Sequence, residues 1–369
     1  MSLPAKPEAG EGVRSEFATL HEFVEAASVK LPASAWNFLI GGAETETTVL
    51  RNRQSLDSLA FRPRVLRNVA SVDPSGSLFG KRLRLPVLLA PIGGLQGFEP
   101  GGGATVVRGA SAFGTGMIMS SASQPGLEEV AAAGPCPKVF QLYVRGDQAW
   151  CDDHLRRAEG CGYDAFCVTV DTAHFSRRER GLAGRPLMPP TDDYQSALSW
   201  EQIKRFRERL RIPLILKGIA TAEDATLACE LGVDGVYVSN HGGRQLDHGR
   251  GAIEVLPEVV AAVGGRARVF VDGGFSRGTD VVKAIILGAD AVGIGRLYCY
   301  GLAAAGAEGV CRVLEILEDE IIRTLGQLGV ASFADLDLSY LYAAAPVSPP
   351  HVHSAFPLLS LEHPGDVAP

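Results

Sequence analysis

The sequence predicts an α/β fold, a (β/α)8 TIM barrel, and three observations lead there. Short apolar, β-branched runs alternate with amphipathic stretches of about ten to fourteen residues through the middle of the chain, the pattern of β/α units around a parallel sheet. Eight such pairs fit within about 240 residues, which matches a closed barrel better than an open doubly wound sheet. Glycine, at 43 of 369 residues, exceeds the usual ~7% and gathers just past the ends of the runs. Gly93, Gly94, Gly218, Gly242, Gly243, Gly273, Gly274 and Gly295 stand where backbone must turn tightly or approach a ligand.

The elements follow in order. Residues 1–15 carry no apolar periodicity and are expected to be disordered. Thr19 with Glu22 opens a helix carrying His21–Lys30, and Leu31-Pro32 starts another that runs to Gly41-Gly42. Both are expected to cover the bottom or side of the barrel. The strands are read at Val87–Ala90, Met117–Ser120, Val139–Tyr143, Ala165–Val170, Leu214–Lys217, Gly235–Ser239, Val269–Val271 and Ala291–Ile294. Helices are read at 102–113, 126–133, 148–161, 199–210, 222–231, 253–263, 278–288 and 307–327. Ser199 with Gln202 forms a capping box, and Thr221 precedes an acidic first turn. Residues 172–198, rich in Arg, Pro and Gly, form the longest strand-to-helix connection and are the candidate lid. The Pro- and His-rich tail, 344–369, suits a wrapping arm or a disordered segment better than a metal site.

Composition narrows the function. The net charge of −7, without a basic block, weighs against nucleic acid or an anionic membrane as partner. No run reaches the ~18 apolar residues of a membrane span, and the N-terminus lacks a signal-peptide core, so a cytoplasmic location is expected. Seven scattered cysteines with no C-x-x-C pair read as reduced thiols, and no metal-ligand set is visible. A G-x-S-x-G elbow, a P-loop and a strand-opened G-x-G-x-x-G are also missing.

Chemistry in such a barrel sits at the C-terminal ends of the strands. Asp171, Lys217, His241, Arg244, Asp272 and Arg296 all fall there. His241 is the only histidine at a strand end, and its ordinary pKa near ~6.5 suits a general base. Asp171 could hold its tautomer and stabilise the imidazolium that forms. Arg244, and Arg178 in the lid, have the geometry to bind a carboxylate, which implies an acidic substrate. Gly273-Gly274 and Gly295-Arg296 follow the seventh and eighth strands, the usual phosphate-gripping place, and imply a phosphate-bearing cofactor or substrate.

These residues also carry a resemblance. The string Ser239-Asn-His-Gly-Gly-Arg-Gln-Leu-Asp247, with Gln141-Leu-Tyr143, Thr169-Val-Asp171, Arg177-Arg178-Glu179, Leu216-Lys-Gly218 and Asp272-Gly-Gly, resembles the FMN-dependent 2-hydroxy acid oxidase/dehydrogenase family. It runs from about Leu31 to Leu336, within a single FMN-binding unit expected at 16–343. The resemblance implies FMN at the barrel mouth, held by main chain at Ala90, Pro91 and Ile92 and by side chains of Ser120, Gln141, Thr169 and Lys217. Ser239, Asp272, Gly273, Gly274, Ser276, Arg277, Gly295 and Arg296 complete the implied cofactor set. It further implies that His241 takes the substrate's hydroxyl proton, Tyr143 hydrogen-bonds the substrate, and Arg178 and Arg244 hold its carboxylate. A homotetramer is a family expectation.

Three departures bear on the substrate. The family's N-terminal active-site tyrosine aligns with Phe38, a tryptophan position is Ala122, and the phosphate-loop arginine is Ser276, with Arg277 one place on. Phe38 and Ala122 make the pocket larger and less polar. A bulky or aromatic L-2-hydroxy acid is therefore expected, with O2 the favoured acceptor because Gly93-Gly94 leaves space beside the flavin position. The alternatives are oxidation of an amino-acid-like or otherwise α-substituted acid, by deamination or decarboxylation, and a flavin-binding subunit without turnover.

Overall fold

The computed structural model describes residues 9–182 and 193–360. Four helices come first, α1 (Glu11–Glu16), α2 (Leu20–Lys30), α3 (Ala33–Ile40) and α4 (Thr47–Asp57). Three short strands follow, β1 (Leu59–Phe61), β2 (Gly76–Leu78) and β3 (Lys81–Leu83). The β/α repeats then run through β4 (Val87–Leu89), α5 (Gly102–Phe113), β5 (Gly116–Ser120), α6 (Leu127–Ala132), β6 (Lys138–Leu142), α7 (Gln148–Gly160) and β7 (Ala165–Thr169). Two helical turns, α8 (Glu179–Leu182) and α9 (Asp193–Ser196), lie in the connection to α10 (Trp200–Arg209). The second half comprises β8 (Leu214–Ile219), α11 (Ala222–Glu230), β9 (Gly235–Val238), α12 (Ala252–Val263), β10 (Arg268–Val271), α13 (Gly278–Ile286), β11 (Ala291–Ile294) and α14 (Arg296–Leu328). A last strand, β12 (Leu341–Ala343), precedes the C-terminal arm.

Strands β4 to β11 pair in parallel in sequence order, and β11 closes back on β4, with Val292 opposite Val87. Helices cover the outside and side chains fill the inside, so the strands are apolar on both faces and lack the alternation of a half-exposed sheet. Backbone capping fixes where the helices start. Glu22 accepts from the Thr19 N–H at 2.7 Å, Gln202 from Ser199 N–H at 2.7 Å, and Asp147 from Trp150 N–H at 2.9 Å. Each cap is worth about 1 kcal/mol.

The (β/α)8 reading and its eight strands hold, and the structure corrects several placements. Order reaches further toward the N-terminus than expected. Ala9 N–H donates to Glu315 at 2.9 Å and Arg14 pairs with the same carboxylate, because a buried Glu315 requires partners. Helix α3 sits at the mouth formed by the C-terminal strand ends: the carbonyls of Phe38, Leu39 and Gly41 accept from Arg244 and Arg296. The bottom is closed instead by the β2–β3 hairpin, whose Leu78 and Leu83 pack among Ile118, Val139, Ile215 and Phe270 inside the barrel. The last helix begins immediately after β11 and breaks at Ala305–Gly306, so the expected 307–327 is its second segment. Residues 344–360 form a packed arm, with Phe356 buried against Tyr300 and His21. The expectations for 1–8, 361–369 and the 183–192 portion of the lid lie outside the described residues.

Candidate active site

A cavity of about 810 Å³ opens at the C-terminal ends of the strands, walled by the strand-end loops, α3, α4, described residues of the β7–α10 connection and the arm. Its volume falls in the usual range for ligand sites, roughly 300–1,000 Å³.

His241 follows β9 at φ +58°, a left-handed conformation that is uncommon for a residue with a side chain. Ser239 Oγ, accepting from the His241 N–H at 3.0 Å, helps hold it there. The imidazole Nδ1 lies 3.2 Å from Asp171 Oδ1, and Nε2 lies 3.2 Å from the Tyr143 hydroxyl. An ionised carboxylate only accepts, so Asp171 places the ring proton on Nδ1 and leaves Nε2 as the acceptor facing Tyr143. Burial pushes the His241 pKa below its ordinary value, with Asp171 opposing the shift, so the ring is neutral near pH 7. Burial acts to raise Asp171, but the neighbouring His241 and Lys217 outweigh it and hold the carboxyl below its usual range. The Tyr143 phenol is pushed up to about 12 by burial and stays protonated. Gly218 makes room for this group: at φ +112°, a Cβ there would lie 2.6 Å from Asp171 Cβ.

Behind this set lies a buried cation network. Lys217 Nζ donates to Ser239 Oγ at 2.8 Å and pairs with Asp272 at 3.1 Å, and Ser239 Oγ donates to Asp272 at 2.5 Å. Burial would lower the lysine, but the Asp272 carboxylate more than offsets this and keeps the ammonium above its ordinary range. Lys217 is thus a permanent positive charge at the end of β8.

The arginines define the other wall. Arg178 donates to Ser176 Oγ at 3.0 Å, to the Arg244 carbonyl at 3.1 Å and to Gln245 Oε1 at 2.9 Å. Arg244 donates from Nη1 to the Phe38 and Gly41 carbonyls at 2.6 and 2.8 Å, and its guanidinium lies 4.6 Å over the Phe38 ring. Its Nη2 is buried without a partner. Burial, with Arg178 and Arg296 nearby, drives the Arg244 pKa well down, so this site favours an anion.

Of the residues expected from sequence, Phe38, Ala90, Pro91, Ile92, Ala122, Tyr143, Arg178, Lys217, His241 and Arg244 line the cavity. So do Asp272, Gly273, Gly274, Ser276, Gly295 and Arg296. Ser120, Gln141, Thr169 and Ser239 are buried at the strand ends behind that wall. Arg296 is turned to the carbonyls of Leu39, Gly41 and Gly242 at 3.1, 2.9 and 3.0 Å. Arg277 is not brought to the cavity: it pairs with Glu320 and donates to the Ala355 carbonyl, because the capping turn of α13 points it at α14 and the arm.

Sequence reasoning missed helix α4, which supplies Asn52 and Arg53 to the wall. Within that helix Arg53 and Asp57, four residues apart, pair at 2.7 Å. It also missed Gln195, which bridges Val144 N–H and the Thr169 carbonyl at 2.7 and 2.8 Å, and Gln245, which links Arg178 to the backbone of Asp171. His351, Val352 and Phe356 of the arm reach the same cavity.

Fold and mouth define a (β/α)8 barrel whose strand ends gather a buried His241–Asp171 pair and several arginines around one cavity. A family model described as FMN-dependent dehydrogenase matches residues 27–195 and 190–343. The chain is 37% identical over 357 residues to Glycolate oxidase 1 of Oryza sativa subsp. indica, covering 89% of this chain and 97% of that protein. It is 36% identical over 355 residues to the L-lactate oxidase of a Nostoc species, covering 88% and 97%. Among solved structures, mandelate oxidase superposes with a TM-score of 0.84 at 37% identity, covering 90% of this chain and 100% of that one. A soluble mutant of the membrane-associated (S)-mandelate dehydrogenase from Pseudomonas putida also gives 0.84, at 34% identity, covering 88% and 99%. The chain belongs to the FMN-dependent 2-hydroxy acid oxidase/dehydrogenase family, and FMN is its cofactor.

The residues fit that cofactor. Both amide atoms of Gln141 and the Thr169 hydroxyl are buried at adjacent strand ends without a protein partner. They form a donor and acceptor set that the polar edge of a flavin ring can satisfy. Gly273, at φ +110°, takes a conformation that disfavours a side chain, and a Cβ there would crowd Ala252 at 3.0 Å and Asn240 at 3.1 Å. No helix among the described residues is long and apolar enough to cross a membrane.

Proposed function

We infer that this enzyme oxidises a bulky or aromatic 2-hydroxy acid to the 2-oxo acid, with O2 as the final electron acceptor and hydrogen peroxide as the second product. The observation that carries the reading is the His241–Asp171 pair, with Nε2 directed at Tyr143 in a cavity also lined by Arg178 and Arg244. FMN, when bound, supplies the two-electron acceptor that the oxidation requires. Arg178 and Arg244 orient the carboxylate of the substrate, Arg244 through its unpartnered Nη2. His241 Nε2 accepts the proton of the 2-hydroxyl group, and Asp171 stabilises the resulting imidazolium. Tyr143 keeps the hydroxyl end aligned with Nε2.

Size follows from the walls. Ala122 stands beside Gly93, and Phe38, Phe98 and Phe175 supply apolar surface around the same space. Gly94 carries no side chain, and a Cβ there would meet nothing within 4 Å, which supports access for O2 on this side.

The test is anaerobic mixing of the FMN-loaded protein with glycolate, lactate, mandelate and phenyllactate, following the flavin band. Faster bleaching by mandelate or phenyllactate than by glycolate supports the reading, and prompt recovery of the band with peroxide release on adding air supports O2. A preference for glycolate overturns the size argument. Ammonia from amino acids, or carbon dioxide from hydroxy acids, would move the assignment to deamination or decarboxylation.

A further inference from the structure

The chain carries a net charge of −7, yet its active-site wall is cationic. Among the described residues that line the cavity there are eight Lys or Arg side chains and one carboxylate, Asp272. Four of the eight are neutralised within the protein. Arg53 pairs with Asp280 and Asp57, Arg177 with Glu179, Arg180 with Glu46, and Lys217 with Asp272.

Three more are bonded only to uncharged oxygens. Arg178 and Arg244 bond to carbonyl, hydroxyl and amide oxygens, and Arg296 to carbonyls alone. Their charges answer the two anions that the reaction brings in, the 2-carboxylate of the substrate and the phosphate of FMN.

Arg145 remains. It lines the same cavity two residues beyond Tyr143, is exposed, and has no ion pair or hydrogen bond among the described residues. Its loop is fixed, because the Val144 N–H donates to the buried Gln195 side chain at 2.7 Å. A guanidinium on an anchored loop, in the cavity that the small Ala122 also lines, adds a positive charge beyond those that the 2-carboxylate and the cofactor use.

We propose that Arg145 is a specificity residue that binds a second acidic group, and that the preferred substrates are 2-hydroxy acids whose bulky side chain ends in a carboxylate. The proposal rests on the 2-hydroxy acid reading above and adds the charge at the far end. Arg178 and Arg244 take the carboxylate beside the reacting carbon, the apolar wall takes the body of the side chain, and Arg145 takes its distal anion. A charge-assisted contact of this kind is worth roughly tenfold in kcat/KM.

The test compares size-matched pairs on the FMN-loaded enzyme, 2-hydroxyadipate against 2-hydroxyheptanoate and 4-carboxymandelate against 4-methylmandelate. The ratio of kcat/KM, acidic over neutral, is measured for wild type, Arg145→Gln, Arg145→Lys and Arg145→Glu. Dissociation constants for the corresponding 2-oxo acids are read from perturbation of the flavin band without turnover. The expected result is a wild-type ratio of about ten or more for at least one pair. That ratio should collapse in Arg145→Gln, be largely kept in Arg145→Lys and invert in Arg145→Glu, with matching changes in the dissociation constants. A wild-type preference for the neutral member of both pairs, or an Arg145→Gln ratio within threefold of wild type, overturns the proposal while the 2-hydroxy acid reading stands. If no 2-hydroxy acid of any kind bleaches the flavin, that reading fails and this one with it.

Discussion

Replacing Asp171 with asparagine keeps the shape of the site and removes one charge. Asp171 Oδ1 lies 3.2 Å from His241 Nδ1, and Oδ2 is buried without another partner, so the carboxylate acts mainly on the imidazole. At that distance, with an effective dielectric of about 20, the attraction between carboxylate and imidazolium is roughly 5 kcal/mol. At about 1.4 kcal/mol per tenfold, its loss costs between about 10³ and 10⁴ in the rate of proton removal. The asparagine NH2 would also oppose the Nδ1 proton and favour the wrong tautomer. The assay is anaerobic stopped-flow bleaching of the flavin band under saturating substrate, with FMN content and Tm as controls for folding. The pH profile adds a sign. Asp171 raises the His241 pKa against burial, so its removal lowers that pKa further and moves the acidic limb of the rate profile to lower pH. A loss under tenfold, or an acidic limb that moves upward, would refute the assignment of Asp171 as the partner of the base.

Other expectations follow from the same geometry. Ala122→Trp puts an indole in place of a methyl on the cavity wall; kcat/KM for mandelate should fall roughly 10- to 100-fold relative to glycolate, as paired assays would show. Ser276→Arg adds a cation to the cavity wall at the loop after β10, and fluorescence titration of the apoprotein should show FMN binding roughly tenfold tighter. His353 is packed by Trp36, Tyr300 and Phe356, and burial pushes its pKa down to about 4. The unfolded chain then binds this proton more readily than the native one, so the contribution of His353 is complete above pH ~6.5 and is lost as pH falls toward 4. His353→Phe should flatten the decline of Tm over that window, and an unchanged decline would count against the buried, neutral ring.

The barrel was legible because parallel strands buried on both faces are written as continuous apolar runs, and because glycines mark the turns at their ends. The positions of Asp171, Lys217, His241 and Asp272 at the mouth follow directly from that register. Helix α4 was not legible, since its wall-facing Asn52 and Arg53 are polar and hide the amphipathic pattern. The β2–β3 hairpin was too short, at three residues a strand, to show alternation. The position of α3 is set from a distance, by Arg244 and Arg296 gripping its C-terminal carbonyls, and nothing local in residues 33–40 announces it. Arg277 was misplaced for a related reason: adjacency to a phosphate loop does not decide which way a capping residue points, and Glu320 on α14 does.

The measurement that bears most directly on the account is the anaerobic bleaching rate of the FMN-loaded His241→Gln variant beside wild type, with the best 2-hydroxy acid of the panel. Glutamine can still accept a hydrogen bond from Tyr143 but cannot take a proton near neutral pH. Bound FMN and a normal Tm are expected, with bleaching slowed by at least about 10². Bleaching within tenfold of wild type would contradict this, because the hydroxyl proton would then be leaving without His241 Nε2 as its proposed acceptor.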